Sequence, residues 1–425
     1  MGSNAKILKG DIIYTPTPKE FVSKKGGYIV YENDNIVGVY DEFPEEYKNC
    51  PLEDFGDKVI IPGLVDLHVH APQFVVRGVG LDMELLDWLN TYIFCTECKF
   101  ADPEYARTIY SRVAKDFVKQ GTTRIVIFAT IHNEATKILM EEFEKCGVTA
   151  YVGKVNMDRN SPDYLVETTE NSVNDTIKFI EETGDKYKYI KPIITPRFTP
   201  TCTPELMTEL GKMARKYNVP VQSHLSENQG EIAWVKELEP ECNYYLDAYK
   251  KYDMFGNGVN TVMAHCVHMS DDEIKAMKDC GVFVAHCPES NNNLSSGISP
   301  IRKMMDAGVK IGLGSDIAGG YELSIFKVMC EALQVSKLKW LYDGKEGQFL
   351  SVAEAFYLGT TGGAEFFGHK GGFGIGDPLH ALVIDDTDLK YDRTLVDTPE
   401  ERIERIIHLA DDRNIVARYS NGRAI

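Results

Sequence analysis

No apolar run in the chain approaches the ~20 residues that a membrane-spanning helix needs, so no membrane role is expected. Positive charge is scarce: 46 Lys and Arg stand against 64 Asp and Glu, a formal net charge of -18. Nucleic acids and anionic membranes are bound through basic patches. Neither is therefore an expected partner, whereas a small neutral molecule is compatible with this charge. The ten cysteines are scattered, and a chain of 425 residues with 43% hydrophobic content can build a large core without a disulfide framework. The start, Met1-Gly2-Ser3-Asn4-Ala5-Lys6, carries no secretory pattern, and Lys6 breaks the N-myristoylation motif. A reducing, cytoplasmic setting with free thiols is the expectation. There is no low-complexity tract, no short internal repeat and no dinucleotide fingerprint. Gly312-Leu313-Gly314 and Gly319-Gly320 have the wrong spacing for one and read as turns that let backbone approach a site.

What is present changes character along the chain. Residues 1–58 carry short β-like runs (5–8, 11–14, 28–31, 35–40) broken by Gly, Pro and Asn, as in a small meandering sheet. From Val59 short apolar runs (59–70, 123–130, 150–156, 191–198, 219–226, 260–265, 281–286, 309–315) alternate with stretches of helical period (104–119, 134–145, 173–182, 204–216, 271–280). Gly121, Gly147, Asn218, Gly281 and Gly308 stand where helix C-caps are expected. Eight strand–helix units predict a (β/α)8 TIM barrel over residues 59–373. A doubly wound sheet is the alternative, but it does not account for polar residues at the ends of so many strands. Residues 374–425 return to turn-rich strand character (381–384, 415–419). Together with 1–58 they are expected to form a small β-sandwich-like domain, with the barrel as one long insertion.

The barrel expectation gives the strand ends a meaning, because barrel active sites lie at the C-terminal ends of the strands. The first run ends in His68-Val69-His70, and alternation along a strand points both imidazoles the same way. Later runs end in Arg197-Phe198, in His224 with Glu227 beyond it, in His265 and in Asp316. Three His and one Asp hold a divalent metal of the Zn or Fe type and leave one position for water. A metal lowers the pKa of such a water toward ~7. Glu227, three residues past His224, can reach over the site and shuttle protons without being a ligand. Each of these residues also has an ordinary structural role open to it. Glu227 could be a helix-start carboxylate, and a single His more often satisfies a core or loop. Their parallel placement favours the site. His286 ends a strand too and is expected to be structural. His268 should face away, and His132, His369, His380 and His408, without evident partners, are expected at the surface or in loops.

Two further motifs fail on order or context. Cys95-Thr96-Glu97-Cys98 precedes His132-Asn133-Glu134, whereas the Cys-ligated zinc deaminases place H-x-E first and P-C-x-x-C after it. No thioredoxin-like unit surrounds the C-x-x-C. Strand four ends in Arg197, not in a lysine that could be carboxylated to bridge two metals, and Lys191 sits at the wrong end of that strand.

Residues 61–70, Ile-Pro-Gly-Leu-Val-Asp-Leu-His-Val-His, resemble the strand-one signature of the amidohydrolase superfamily, and the resemblance extends over nearly the whole chain. Within it, His68-Val69-His70-Ala71-Pro72-Gln73, the stretch from Leu86 to Phe94, Pro196-Arg197-Phe198, Ser223-His224-Leu225-Ser226-Glu227-Asn228, Cys287-Pro288-Glu289-Ser290-Asn291 and Gly314-Ser315-Asp316-Ile317-Ala318-Gly319-Gly320 are similar to blocks of the guanine deaminases. Cys95, where that group commonly has proline, and the pair Asn292-Asn293 depart from the pattern. The resemblance implies that His68, His70, His224 and Asp316 hold one metal, Zn by default or Fe. It implies that His265 contacts the attacking water, that Glu227 protonates a ring nitrogen and the departing ammonia, that Gln73 and Arg197 bind the polar edge of the purine, and that Phe198 packs on it. Guanine would be the substrate, attacked at C2 to give xanthine and ammonia, and a homodimer would be the assembly. An Arg donor fork independently suits the guanine C6 carbonyl, whereas adenine would leave buried donors facing each other. The alternatives left open are a related aminohydrolase acting on a triazine, cytosine or a nucleoside, and an inactive scaffold of the same fold. Closure of a loop over residues 78–100 is also left open.

Overall fold

The structure, a computed structural model, describes residues 4–390, 392 and 397–425. Met1-Gly2-Ser3, part of the start read for a leader, lies outside the described residues. No helix among the described residues is long and apolar enough to cross a membrane.

The chain opens with β1 (Ala5–Thr17), β2 (Glu20–Glu32), β3 (Asn35–Tyr40) and β4 (Leu52–Pro62). The run expected over 59–70 is two strands, because β4 ends at Pro62 and β5 (Leu64–His70) begins after Gly63. The two belong to different sheets. The core of the chain then supplies β6 (Thr122–Phe128), β7 (Thr149–Gly153), β8 (Val155–Asn156), β9 (Ile190–Pro192), β10 (Thr195–Pro196), β11 (Val221–Leu225), β12 (Thr261–His265), β13 (Phe283–His286) and β14 (Lys310–Leu313). β15 (Ala381–Ile384), β16 (Ile415–Ser420) and β17 (Arg423–Ala424) follow.

The last three pair back onto the first ones in one seven-stranded sheet, ordered β17-β16-β15-β4-β1-β2-β3. The two chain ends are thus joined through β15, whose Leu382 and Val383 sit opposite Ile61 and Ile60 of β4. The 374–425 segment is not all strand. Pro399–Leu409 is a helix, capped by Thr398 with Glu401 reaching back, and it buries Ile403, Ile406 and Ile407. That capping box and the i, i+3, i+4 apolar spacing were the available signals.

Two four-stranded parallel sheets, β5-β6-β7-β9 and β11-β12-β13-β14, carry the central part, with β8 and β10 as a further parallel pair. β5 and β6 are buried at every position, as expected for parallel strands covered on both faces. Backbone bonds run from one sheet toward the other at both sides. Gln222 N donates to Ile194 O at 3.0 Å, and Asp316 N donates to His68 O at 2.8 Å. Amphipathic helices connect the strands, among them Pro103–Lys119, Asn133–Cys146, Thr169–Thr183, Pro204–Tyr217 and Asp271–Cys280. Four of the expected caps, Gly147, Asn218, Gly281 and Gly308, end helices in the left-handed conformation. The parallel arrangement sets the C-terminal ends of these strands toward one side, where ligands of α/β sheets bind.

Candidate active site

Four strand ends meet there. β5 delivers His68 and His70, and β11 delivers His224. β12 ends in His265, and the turn after β14 carries Asp316. His265 and Asp316 both adopt left-handed backbone, with φ of 73° and 47°. Non-glycine residues take that conformation at a cost of about 1–3 kcal/mol, which the surrounding fold must offset. Gly314 lets this turn close on β5, because a Cβ there would stand 2.8 Å from His68 Cβ.

The side-chain atoms converge tightly. His70 Nε2 lies 3.0 Å from His224 Nε2. Asp316 Oδ1 lies 3.2 Å from His68 Nε2 and 3.6 Å from His70 Nε2, and Asp316 Oδ2 is 3.7 Å from His265 Nε2. All five residues are buried. Ligands about 2.0–2.3 Å from a common ion stand roughly 3–4 Å apart, so the donor set fits a single divalent cation. The nitrogens are also prepared for it. His224 Nδ1 donates to Arg197 O at 2.6 Å, which leaves its Nε2 as the lone-pair atom of the neutral ring, and His265 Nδ1 donates to Asn291 Oδ1 at 2.9 Å, which aims its Nε2 into the site. Among the described residues, His68 Nε2 and His265 Nε2 are buried with no hydrogen-bond partner. Burial first, then the neighbouring imidazoles, hold His70 and His224 well below the ordinary imidazole range. Burial opposes ionisation of Asp316, yet its pairing and hydrogen bond with His68, then its nearness to His265 and His70, keep its carboxyl well below the usual range.

Glu227 is not a helix-start residue. The following helix is Gln229–Leu238, capped by Asn228, and the Glu227 carboxylate turns into the site. Its Oε2 is 3.4 Å from His265 Nε2, and its Oε1 accepts from Ser296 Oγ at 3.3 Å. Burial, then the Asp316 charge, pushes its carboxyl well above the ordinary range, as suits a group that gives up and takes back a proton. Gln73, Arg197 and Phe198 line the same cavity, together with the apolar Leu85 and Trp88.

His286 is buried, with both ring nitrogens unpartnered among the described residues. His268 faces away, bonded to Gln229 and to Ser296 O. His380 lies in the loop before β15 but is 2% exposed and so not at the surface, and His369 has a partner, since it accepts from Arg124 Nε at 3.0 Å. Both rings pack where the terminal sheet meets the central strands, an environment invisible in local sequence. Among the described residues the C-x-x-C thiols bond to helix carbonyls, Cys95 to Thr91 O and Tyr92 O and Cys98 to Cys95 O. Between them, however, Glu97 is buried and bonds to both Gln73 and Arg197. Its sequence signal, one carboxylate inside a discarded motif, was not usable. Asn291 and Asp66 were also missed as supports. Asp66 Oδ1 accepts from His68 N and Ser315 N, tying the end of β5 to the turn that carries Asp316.

The Amidohydrolase family profile matches residues 59–425. The chain is 42% identical to the guanine deaminase of Dictyostelium discoideum, covering 88% of this chain and 83% of that protein. It is 40% identical to that of Mus musculus, covering 89% and 86%. A crystal structure of guanine deaminase from C. acetobutylicum with guanine bound in its active site is 49% identical and superposes with a TM-score of 0.95, covering 99% of this chain and 100% of that one.

Proposed function

The chain belongs to the amidohydrolase family, and we infer that it is a hydrolase converting guanine and water to xanthine and ammonia. One observation in the molecule carries this reading. A buried cluster of imidazoles and one carboxylate stands in the same cavity as a proton-holding Glu227 and an Arg–Gln donor pair. Hydrolytic chemistry and a polar-edge recogniser therefore share one pocket, which favours a purine over a triazine. The inactive-scaffold alternative loses force because all the expected ligands are retained.

His68, His70, His224 and Asp316 would hold one divalent ion, with Zn first and Fe second on the chemistry of three imidazoles and a carboxylate. Such an ion makes hydroxide available near neutral pH. Around it, His265 and Asp316 orient the water and help take its first proton as oxygen bonds to C2. Glu227, which starts protonated, gives its proton to the adjacent ring nitrogen. The remaining proton on the new C2 oxygen then passes through Glu227 to the amine, the C2–N bond breaks to release ammonia, and the proton held at Asp316 and His265 returns to Glu227. Arg197 and Gln73 bind the polar edge of the base, and Phe198 packs on its face. Leu85, Trp88 and Leu89 supply an apolar wall.

The eight parallel strands are proposed to close into a barrel within residues 59–373, a reading supported by the backbone bonds between the two sheets. The terminal segments, 1–58 and 374–425, would form the accompanying β domain, supported by their shared sheet. The ten unpaired cysteines support a reducing, cytoplasmic setting. Exposed Leu338, Leu341, Tyr342 and Phe349 support a homodimer, to be checked by light scattering. Ammonia release from guanine by the metal-loaded protein tests the function. Absence of release, with turnover of another base, would move the assignment to that base.

A further inference from the structure

Glu97, the last residue of the short helix Phe94–Glu97, is 1% exposed and takes no part in the chemistry described above. Its two carboxylate oxygens are divided. Oε2 accepts from Arg197 Nη1 at 2.6 Å, and Oε1 accepts from Gln73 Nε2 at 2.9 Å. The far end of the Gln73 amide is fixed as well, because its Oε1 accepts from Ala318 N at 3.1 Å, two residues past Asp316. Phe94, on the same short helix, has its ring centroid 5.3 Å from the Arg197 guanidinium carbon. Arg197 and Gln73 line the cavity, and Glu97 stands behind them.

Two physical consequences follow. A carboxylate only accepts and a backbone N–H only donates, so the Gln73 amide has one orientation that satisfies both neighbours. Arg197 is buried in a pocket built to hold a divalent cation. Without a counter-charge its guanidinium would be an unpaired buried ion. With Nη1 anchored on Glu97, the rest of the fork is aimed by two fixed points, the carboxylate and the Phe94 ring.

We propose that Glu97 is a positioning residue for base recognition, holding Arg197 and Gln73 as one rigid donor surface for the 6-oxo edge of guanine. This rests on the guanine reading above. Glu97→Gln keeps the size but places an amide donor against either the Gln73 amide or the Arg197 fork, so one of the two bonds becomes donor facing donor.

The test uses metal-loaded full-length protein with steady-state kinetics. On guanine, Glu97→Gln is expected to lower kcat/KM about 10²-fold, the usual cost of a small misplacement, and mainly through KM. 2-Aminopurine carries the same leaving amine but no 6-oxo group. As substrate, or as inhibitor if it is not turned over, it should respond less than about threefold, since no Arg197 contact is lost. The double variant E97Q/R197Q should be no worse than R197Q alone, and bound metal should stay at the wild-type level. Glu97→Asp, which keeps the charge, should recover part of the loss and also serves if E97Q does not fold. Equal losses on both bases, or additive losses in the double variant, overturn the positioning role. So does a wild-type kcat/KM in E97Q. Wild-type protein that releases no ammonia from guanine overturns the functional reading itself, a separate outcome.

Discussion

His70 and His224 are 154 residues apart in the chain, yet their Nε2 atoms lie 3.0 Å from each other. Because His224 donates through Nδ1 to Arg197 O, its Nε2 presents a lone pair to His70. Burial favours the neutral form of both rings. Two such nitrogens at this separation can share a proton or a cation, and a cation is the group that also satisfies His68 and Asp316.

Metal dependence follows. The active protein should bind one divalent ion per chain by elemental analysis, lose ammonia release on chelation and regain it on readdition. Binding to the folded state alone also stabilises it by mass action, so the chelated protein should melt at a lower temperature. His224→Ala should show the low metal content and lower melting temperature without a chelator. A fully active, metal-free preparation would contradict the site.

Glu227 is expected to matter for turnover and not for metal. General acid–base groups contribute about 10²–10⁴-fold, so Glu227→Gln should reduce kcat by that order with one metal still bound. Its stability should not fall, since the variant removes a buried carboxyl that burial and Asp316 disfavour as an anion. A large loss of metal together with activity would recast Glu227 as a ligand.

Much of this arrangement was legible because strand periodicity and strand ends are local properties. His68 and His70 share a face by alternation, and the parallel rhythm of β5, β11, β12 and β14 brings their ends to one side. Helix bounds came out within a few residues where caps were explicit, as at Asp271–Cys280. What could not be read depends on distant packing. Glu97 acquires its role only from Gln73 and Arg197, 24 and 100 residues away. His380 is buried by a sheet that joins both chain ends. The helix Pro399–Leu409 had its capping box in plain view, but the strand-like runs flanking it dominated the composition.

A pH dependence of stability should arise from Glu231. Its carboxylate accepts from Glu227 N at 3.0 Å and from Tyr245 OH at 2.8 Å, inside the protein. Burial, then the Glu227 charge, raises it to about 7 from an ordinary 4.5. Between those two values the folded chain keeps a proton that the unfolded chain releases. Stability therefore falls as pH rises through that window and levels off above about 7, by at most about 3 kcal/mol. Glu231→Gln can still accept from the backbone and donate to Tyr245. Denaturant melts at pH 5 and pH 7.5 should differ less in E231Q than in wild type, and equal slopes would remove Glu231 as the source.

Lys154 supplies the last prediction and bears on the number of metals. Its side chain is fully buried, with Nζ 2.7 and 2.8 Å from the two oxygens of Glu167 and 3.1 Å from Val155 O. It is therefore committed to a salt bridge and is not a lysine free to be carboxylated between two ions. The pair sits just before β8, whose Asn156 O accepts from Arg197 N at 3.2 Å, so it props the strand that presents the Arg fork. Lys154→Met leaves Glu167 buried and unpaired, which should cost about 3–5 kcal/mol in urea unfolding. Adding Glu167→Gln should recover a substantial part, because a neutral amide needs no counter-charge. If K154M were as stable as wild type but inactive and short of metal, Lys154 would have to be counted among the metal-holding groups, and the single-ion site would need to be redrawn.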